Sequence, residues 1–162
     1  MVTTGPRAAC GFTAIELMVV VLVLAVLVTI GLPGLRELVA TSQVRSAAGD
    51  LRASLARARS EAMVRNAQVD VVPASGNWAN GWEVVTGGTV LERRGPAPVT
   101  VTPAASSVVS YRLNGRISAG AQALTIAPSN GSAVRARCVY VDPAGRPMVR
   151  IDTDVDPANG CE

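Results

Sequence analysis

The sequence contains no lysine and no histidine, and all 15 of its basic residues are arginine. Without histidine the chain cannot form a Ser-His-Asp or Cys-His catalytic arrangement, and it offers no imidazole ligand to a metal. Without lysine, Schiff-base chemistry and a phosphate-binding P-loop are excluded as well. Because no nucleophile is paired with a base elsewhere in the chain, the sequence predicts a protein that is not an enzyme and needs no cofactor.

Charge and length narrow the function classes further. The formal net charge of the 162 residues is +3, which by itself does not indicate a nucleic-acid partner. Once the first third of the chain is set aside as a leader and a long helix, enough residues remain for one small domain.

A long apolar run lies near the amino terminus. From Leu17 to Leu35 there is no ionisable side chain, and a helix of this length at about 1.5 Å per residue just crosses a bilayer core. Glu16 stands at the start of the run, where an acidic side chain is costly and indicates a function. No Ala-x-Ala site follows Leu35, whereas a cleavage-like junction, Gly11-Phe12, precedes the run. The run is therefore predicted to stay in the mature protein.

The segment Gly11-Phe12-Thr13-Ala14-Ile15-Glu16 resembles the type III leader of type IV pilins and type II secretion pseudopilins. The resemblance implies cleavage between Gly11 and Phe12 by a prepilin peptidase and N-methylation of Phe12. It also implies that Pro33 kinks the helix. A carboxylate buried in a filament needs a partner, which the amino terminus of a neighbouring subunit can supply to Glu16. A plain signal anchor, with Glu16 in the headgroup zone, is the alternative reading.

The resemblance also fixes the predicted topology. Arg36, Arg45 and Arg52 follow the apolar run and outnumber Arg7 before it, which runs against the positive-inside tendency. The leader, however, requires a peptidase that faces the cytosol. We therefore expect a single-pass protein of the inner membrane, with its carboxyl-terminal head in the periplasm, that later assembles into a pilus or pseudopilus.

An amphipathic helix is predicted to continue to Asn66. Charged residues, among them Arg45, Arg52 and Asp50, occupy the opposite face, which is interpreted as a solvated face, with a basic groove for nucleic acid as the alternative. Small or apolar residues recur at steps of three and four, which is typical of one buried helix stripe. These residues are Val44, Ala48, Leu51, Leu55, Ala58 and Ala62.

From Ala67 onward the sequence pattern changes to short β-type runs separated by Gly, Pro and Asn turns. Pro98 and Pro103 confine their strand to an edge or a loop. The predicted strands lie at 69–72, 82–85, 90–92, 99–102, 108–113, 124–126, 134–141 and 148–151. The expected fold is α+β and type IV pilin-like, with the long amino-terminal helix packed on an antiparallel β head. The predicted parts are a leader at 1–11, a transmembrane and assembly helix at 12–35, an amphipathic helix at 36–66 and the head at 67–162.

Two further segments resemble the GspH/FimT family of pseudopilins and minor pilins, namely Ala58-Arg59-Ser60-Glu61-Ala62 and Trp78-Ala79-Asn80-Gly81-Trp82-Glu83-Val84. The resemblance implies a structural subunit of a type II secretion system or a type IV pilus, acting in secretion or filament initiation. Its partners would be other pilins or pseudopilins in a helical filament. The alternative is a minor pilin that acts as a DNA receptor in natural transformation. A membrane-anchored enzyme is the third hypothesis, and the residue inventory argues against it.

DNA binding is considered because four arginines fall near one predicted hairpin: Arg135, Arg137, Arg146 and Arg150. Guanidinium groups grip phosphates in bidentate fashion. Some FimT-type minor pilins bind DNA through a Gly-Arg-x-Arg motif, from which Gly145-Arg146-Pro147-Met148 departs. A salt-bridged surface hairpin is the alternative.

Removal of the leader takes Cys10 away and leaves Cys138 and Cys161, which are expected to form a disulfide in a translocated domain. Two free thiols are the alternative.

The run 152–156 alternates three aspartates as the start of a calcium loop does, but Pro157 replaces the turn glycine, so an acidic tail is preferred. Trp78 and Trp82 are interpreted as packing residues, with ligand stacking as the alternative.

Overall fold

The computed structural model describes residues 12–103, 108–119, 123–131 and 133–153. In chain order the elements are one helix, α1, two short 3-10 helices and nine strands. Their bounds are α1 Ala14–Arg65, the 3-10 helices Ala74–Gly76 and Trp78–Asn80, β1 Val69–Pro73, β2 Trp82–Thr86, β3 Thr89–Arg94, β4 Val99–Thr102, β5 Val109–Tyr111, β6 Ile117–Ala119, β7 Leu124–Pro128, β8 Arg137–Val141 and β9 Pro147–Ile151. The chain forms two compact units that divide between Arg36 and Glu37.

The first unit contains the beginning of α1. The helix starts at Ala14, two residues after the predicted start at residue 12, and it continues through Pro33. The predicted kink at Pro33 stays a prediction. Large apolar side chains on this part of the helix are exposed, from Ile15 to Ile30 and again at Leu35. By length and composition, the helix is able to span a membrane.

The second unit is organised around one face of the remainder of α1. The predicted stripe is confirmed, since all six of its residues are buried. Leu51 and Leu55 are each 1% exposed and belong to a core cluster that includes Trp78, Trp82 and Tyr111. The two tryptophans are thus packing residues. Strands from both sheets complete this core, so the helix face is buried by the whole head.

The strands form two antiparallel sheets, in the orders β3-β2-β1-β5-β6 and β4-β7-β8-β9. The fold is therefore the predicted α+β fold, with a long amino-terminal helix followed by antiparallel sheets. The period of two is clearest in β1, where Val69, Val71 and Pro73 are buried and the residues between them are half-buried. The strand bounded by Pro98 and Pro103, β4, lies at a sheet edge, as predicted. The sequence missed β6, because three residues of mixed polarity carry no detectable alternation.

A buried polar contact joins the second part of α1 to β3. The hydroxyl of Ser54, which is 1% exposed, donates a hydrogen bond of 2.8 Å to Oε1 of Glu92. Arg94 donates to the same carboxylate at 2.9 Å, and Arg57 lies 3.4 Å from it. Burial raises the pKa of Glu92, but the hydrogen bonds from Ser54 and Arg94 and the charges of Arg94 and Arg57 outweigh it. The net pKa lies below the ordinary value.

Candidate functional site

Thr13 and Glu16 close the amino-terminal end of α1 by hydrogen bonds to each other. The backbone N–H and the hydroxyl of Thr13 donate to Oε2 of Glu16 at 3.4 and 3.3 Å. In return, the N–H of Glu16 donates to Oγ1 of Thr13 at 3.3 Å. This is a capping box, which satisfies backbone donors that have no partner inside the helix. The carboxylate of Glu16 therefore stabilises its own helix end, a role that the sequence analysis did not assign to it.

The predicted processing site lies at the border of the described residues. Phe12 is 72% exposed, so its backbone and ring are open to a partner. Gly11 lies outside the described residues, together with the rest of the predicted leader. Cleavage between the two residues, and methylation of Phe12, stay predictions.

The four arginines predicted near the β8–β9 hairpin have different surroundings. Arg146 donates from Nε to Oδ2 of Asp142 at 2.8 Å, and its backbone N–H donates to Oδ1 at 2.8 Å. The backbone hydrogen bond is the main reason that the pKa of Asp142 lies below its ordinary value, and the Arg146 side chain adds to the effect. Arg135 is exposed. Only Arg137 and Arg150 line the same cavity.

That cavity has a volume of about 590 Å³, and we call it the arginine groove. One wall comes from α1 and the other from β8 and β9. The residues that line it are Arg45, Gly49, Arg52, Arg137, Tyr140, Pro147, Met148, Val149 and Arg150. The guanidinium carbon of Arg150 lies 4.9 Å from the centre of the Tyr140 ring, within the range of a cation–π interaction.

The groove follows from two regular spacings. Positions 45, 49 and 52 are four and three residues apart, so they share one helix face, beside the buried stripe. Tyr140 and Met148 are directly opposite in the β8–β9 register and therefore share one face of the sheet. From the sequence alone, Arg45 and Arg52 are interpreted as part of a solvated face, and Gly49 has no predicted role. Their spacing was the available signal, but only the fold shows which strand faces them.

The remaining predicted sites lie at the carboxyl end of the described chain. Cys138 is disulfide-bonded. Its predicted partner, Cys161, lies outside the described residues, so this pairing stays a prediction. Asp152 is 1% exposed, and its N–H donates to the carbonyl oxygen of Ala136 at 3.0 Å. The other two aspartates of the predicted acidic run are also outside the described residues, and no group of three metal-ligating side chains occurs among those that are described.

Comparison with known proteins gives one family and one fold. The model of the family described as "Type II transport protein GspH" matches residues 47–145. Two crystal structures of the type IV minor pilin FimU of Pseudomonas aeruginosa (strain PAO1) are similar to this chain. One is 18% identical with a TM-score of 0.55, over 71% of this chain and 96% of that chain. The other is 20% identical with a TM-score of 0.53, over 69% and 99%. No curated protein matches the sequence significantly.

Proposed function

The chain belongs to the GspH family, and we propose that it is a minor pseudopilin or minor pilin that acts by assembling with other pilins through its amino-terminal helix. The family is one of structural pilin subunits, and the fold is that of a minor pilin. The proposed action is therefore mechanical. The helices bundle, and the head determines what the filament contacts.

One observation carries the proposal: a helix whose large apolar side chains are exposed begins at a capped acidic end and leads into a head with its own core. Such an apolar surface is not stable in water, so it must be covered by lipid or by other helices. We propose that lipid covers this surface first and that the helices of other subunits cover it after assembly. The protein is held in the inner membrane with its head in the periplasm, and its helix then enters a filament, where Glu16 pairs with the Phe12 amine of a neighbour.

Mass spectrometry of the mature amino terminus tests this function. Purified from its native host, the protein should lack residues 1–11 and should begin with N-methylated Phe12. Coexpression with a prepilin peptidase should produce the same cut, and a peptidase with a disrupted active site should leave the chain uncut. An intact Met1, or a cut after Leu35, would contradict assembly through this helix.

The machine that uses the subunit is a separate part of the proposal. We place it in a type II secretion system or a type IV pilus, where it contributes to secretion or to filament initiation. Deletion of the gene separates the two, because loss of a secreted enzyme with intact pili indicates the secretion system, and the reverse result indicates the pilus.

DNA reception is the second candidate, and the arginine groove is the observation that favours it. Arg137 and Arg150, two of the four arginines that the sequence analysis named for DNA, line this groove with two helix arginines. Phosphate contacts of this kind are strongly salt-dependent. A gel shift with the full-length protein in an uncharged detergent tests it, since a protein that ignores DNA even at low salt is not a DNA receptor.

A further inference from the structure

The arginine groove concentrates positive charge that nothing in the described structure neutralises. Five other arginines of the second unit each lie within 4.0 Å of a carboxylate: Arg57, Arg65, Arg93, Arg94 and Arg146. Within the described ranges, none of the four groove arginines is in an ion pair, and no acidic residue lines the groove. Four like-charged side chains that line one cavity repel each other, and an anionic ligand would relieve that repulsion.

The strand wall of the groove carries apolar side chains beside its two arginines. Pro147, Met148 and Val149 contribute aliphatic surface, and Tyr140 contributes a ring that already holds the Arg150 guanidinium. A ligand that fits both features therefore carries negative groups at its sides and apolar groups between them.

Gly49 keeps the helix wall of the groove open. A Cβ atom at this position would meet no atom within 4 Å. Glycine inside a helix costs about 0.5 to 1 kcal/mol relative to alanine, so its presence here is not explained by helix stability. The missing side chain leaves room between Arg45 and Arg52 for part of a ligand.

The strand that borders the groove also has a free edge. In the described sheet, β9 is the last strand and pairs only with β8. The backbone N–H of Asp142 donates to the carbonyl oxygen of Arg146, and the N–H of Asp152 donates to the carbonyl oxygen of Ala136. The backbone N–H and C=O groups of the even-numbered residues of β9 therefore point toward β8. By alternation, the backbone groups of Val149 and Ile151 point outward. Such unpaired N–H and C=O groups are a template for one more strand.

We propose that the arginine groove binds an acidic, extended polypeptide segment of a partner protein, which adds to the free edge of β9 as a further strand. The carboxylates on one face of the segment pair with Arg45 and Arg52 of the helix, and the apolar side chains on its other face lie on Met148 and Tyr140, which share one face of the sheet. A polypeptide backbone supplies donors to the outward carbonyls of Val149 and Ile151 and acceptors to their N–H groups. A phosphodiester backbone supplies acceptors only, so the combined features favour a peptide over DNA.

The test uses the full-length protein in an uncharged detergent and a fluorescent peptide of about eight residues with alternating Glu and Val, followed by anisotropy. Binding should weaken as salt is added, because the contacts are charged. The same peptide with Gln in place of Glu should bind at least about 10-fold more weakly. A version with N-methylated backbone amides should also bind more weakly, since it cannot donate to the strand edge.

Matched variants locate the binding. The double variant Arg45→Gln, Arg52→Gln should weaken binding of the Glu-Val peptide by about 10-fold or more. The double variant Arg112→Gln, Arg116→Gln removes the same charge from exposed positions outside the groove and should change the affinity by less than about 2-fold. Gly49→Leu fills the groove without a change of charge and should also weaken binding. Circular dichroism verifies that each variant is folded.

Three results would overturn the proposal. The first is equal weakening in both double variants, which would reduce the effect to net charge. The second is that a single- or double-stranded oligonucleotide of about 12 nucleotides binds more tightly than the Glu-Val peptide and that the groove variants abolish this binding. That result would assign the groove to nucleic acid. The third is no binding of the peptide at low salt. None of these results depends on whether the protein enters a filament.

Discussion

Gly145 packs directly against Gly115, and this contact joins the turns of two different sheets. A Cβ atom on Gly145 would overlap the carbonyl oxygen of Gly115. The two turns share one hydrogen-bond pattern, since Asp142 N–H bonds to the Arg146 carbonyl as Arg112 N–H bonds to that of Arg116. Because the β5–β6 turn belongs to the five-stranded sheet and the β8–β9 turn to the four-stranded sheet, this contact positions β9 within the head.

Substitution of Gly145 by alanine should destabilise the head by about 2 to 4 kcal/mol. Two effects add, because the φ of Gly145 is +84° and the new methyl group would overlap the neighbouring turn. Gly88→Ala is the matched control, since its φ is +81° but its surroundings are open. It should cost only about 1 kcal/mol. Urea unfolding of both variants measures the difference, and equal losses would mean that the turn contact contributes nothing.

The contact between Ser54 and Glu92 should make stability dependent on pH. The folded-state pKa of Glu92 lies below its ordinary value of 4.5. The contribution of the ionised Glu92 to the free energy of unfolding is therefore complete above about pH 4.5 and is lost as the pH falls through the folded-state pKa. Glu92→Gln should lower the free energy of unfolding by about 1 to 2 kcal/mol at neutral pH, and by progressively less in acid. Urea unfolding between about pH 3 and pH 7 measures the difference in the free energy of unfolding between the wild type and Glu92→Gln, and the exposed Glu37→Gln is the control. A difference that does not change with pH would contradict the prediction.

Gly49→Ala should stabilise the protein. The position is exposed inside a helix and has space for a Cβ atom. Alanine should therefore raise the free energy of unfolding by about 0.5 to 1 kcal/mol, through the lower backbone entropy of the unfolded chain and better helix propensity. Thermal unfolding in an uncharged detergent checks the sign. A loss of stability would indicate that the glycine has a structural role in this helix, which would argue against its proposed role in keeping the groove open.

Two substitutions at Glu16 separate helix capping from filament pairing. Glutamine can still accept the hydrogen bonds from Thr13 but carries no charge, whereas alanine loses both functions. If pairing with the Phe12 amine drives assembly, both variants should insert into the membrane and both should fail to enter filaments, as measured by fractionation of sheared filaments. Normal incorporation of Glu16→Gln would leave capping as the only role of this carboxylate.

The sequence by itself determined the helix and most of the head. A stripe with steps of three and four residues can be buried in only one way, and Leu51 and Leu55 lie in the core as predicted. Short apolar runs between glycine and proline turns likewise predicted eight of the nine described strands. These features are local, since the period of the side chains reports the backbone geometry of each segment.

The pairing of distant segments was decided only by the tertiary structure. Nothing in the local sequence states that Arg45 and Arg52 line the same groove as Arg150, because their proximity depends on which strand is last in the sheet. Arg146 shows the same limit, since its spacing suggested a shared cluster but Asp142 at the turn pairs with it. Charge patterns along a chain record which groups are present, and only the register of strands and the packing of the helix determine which of them meet.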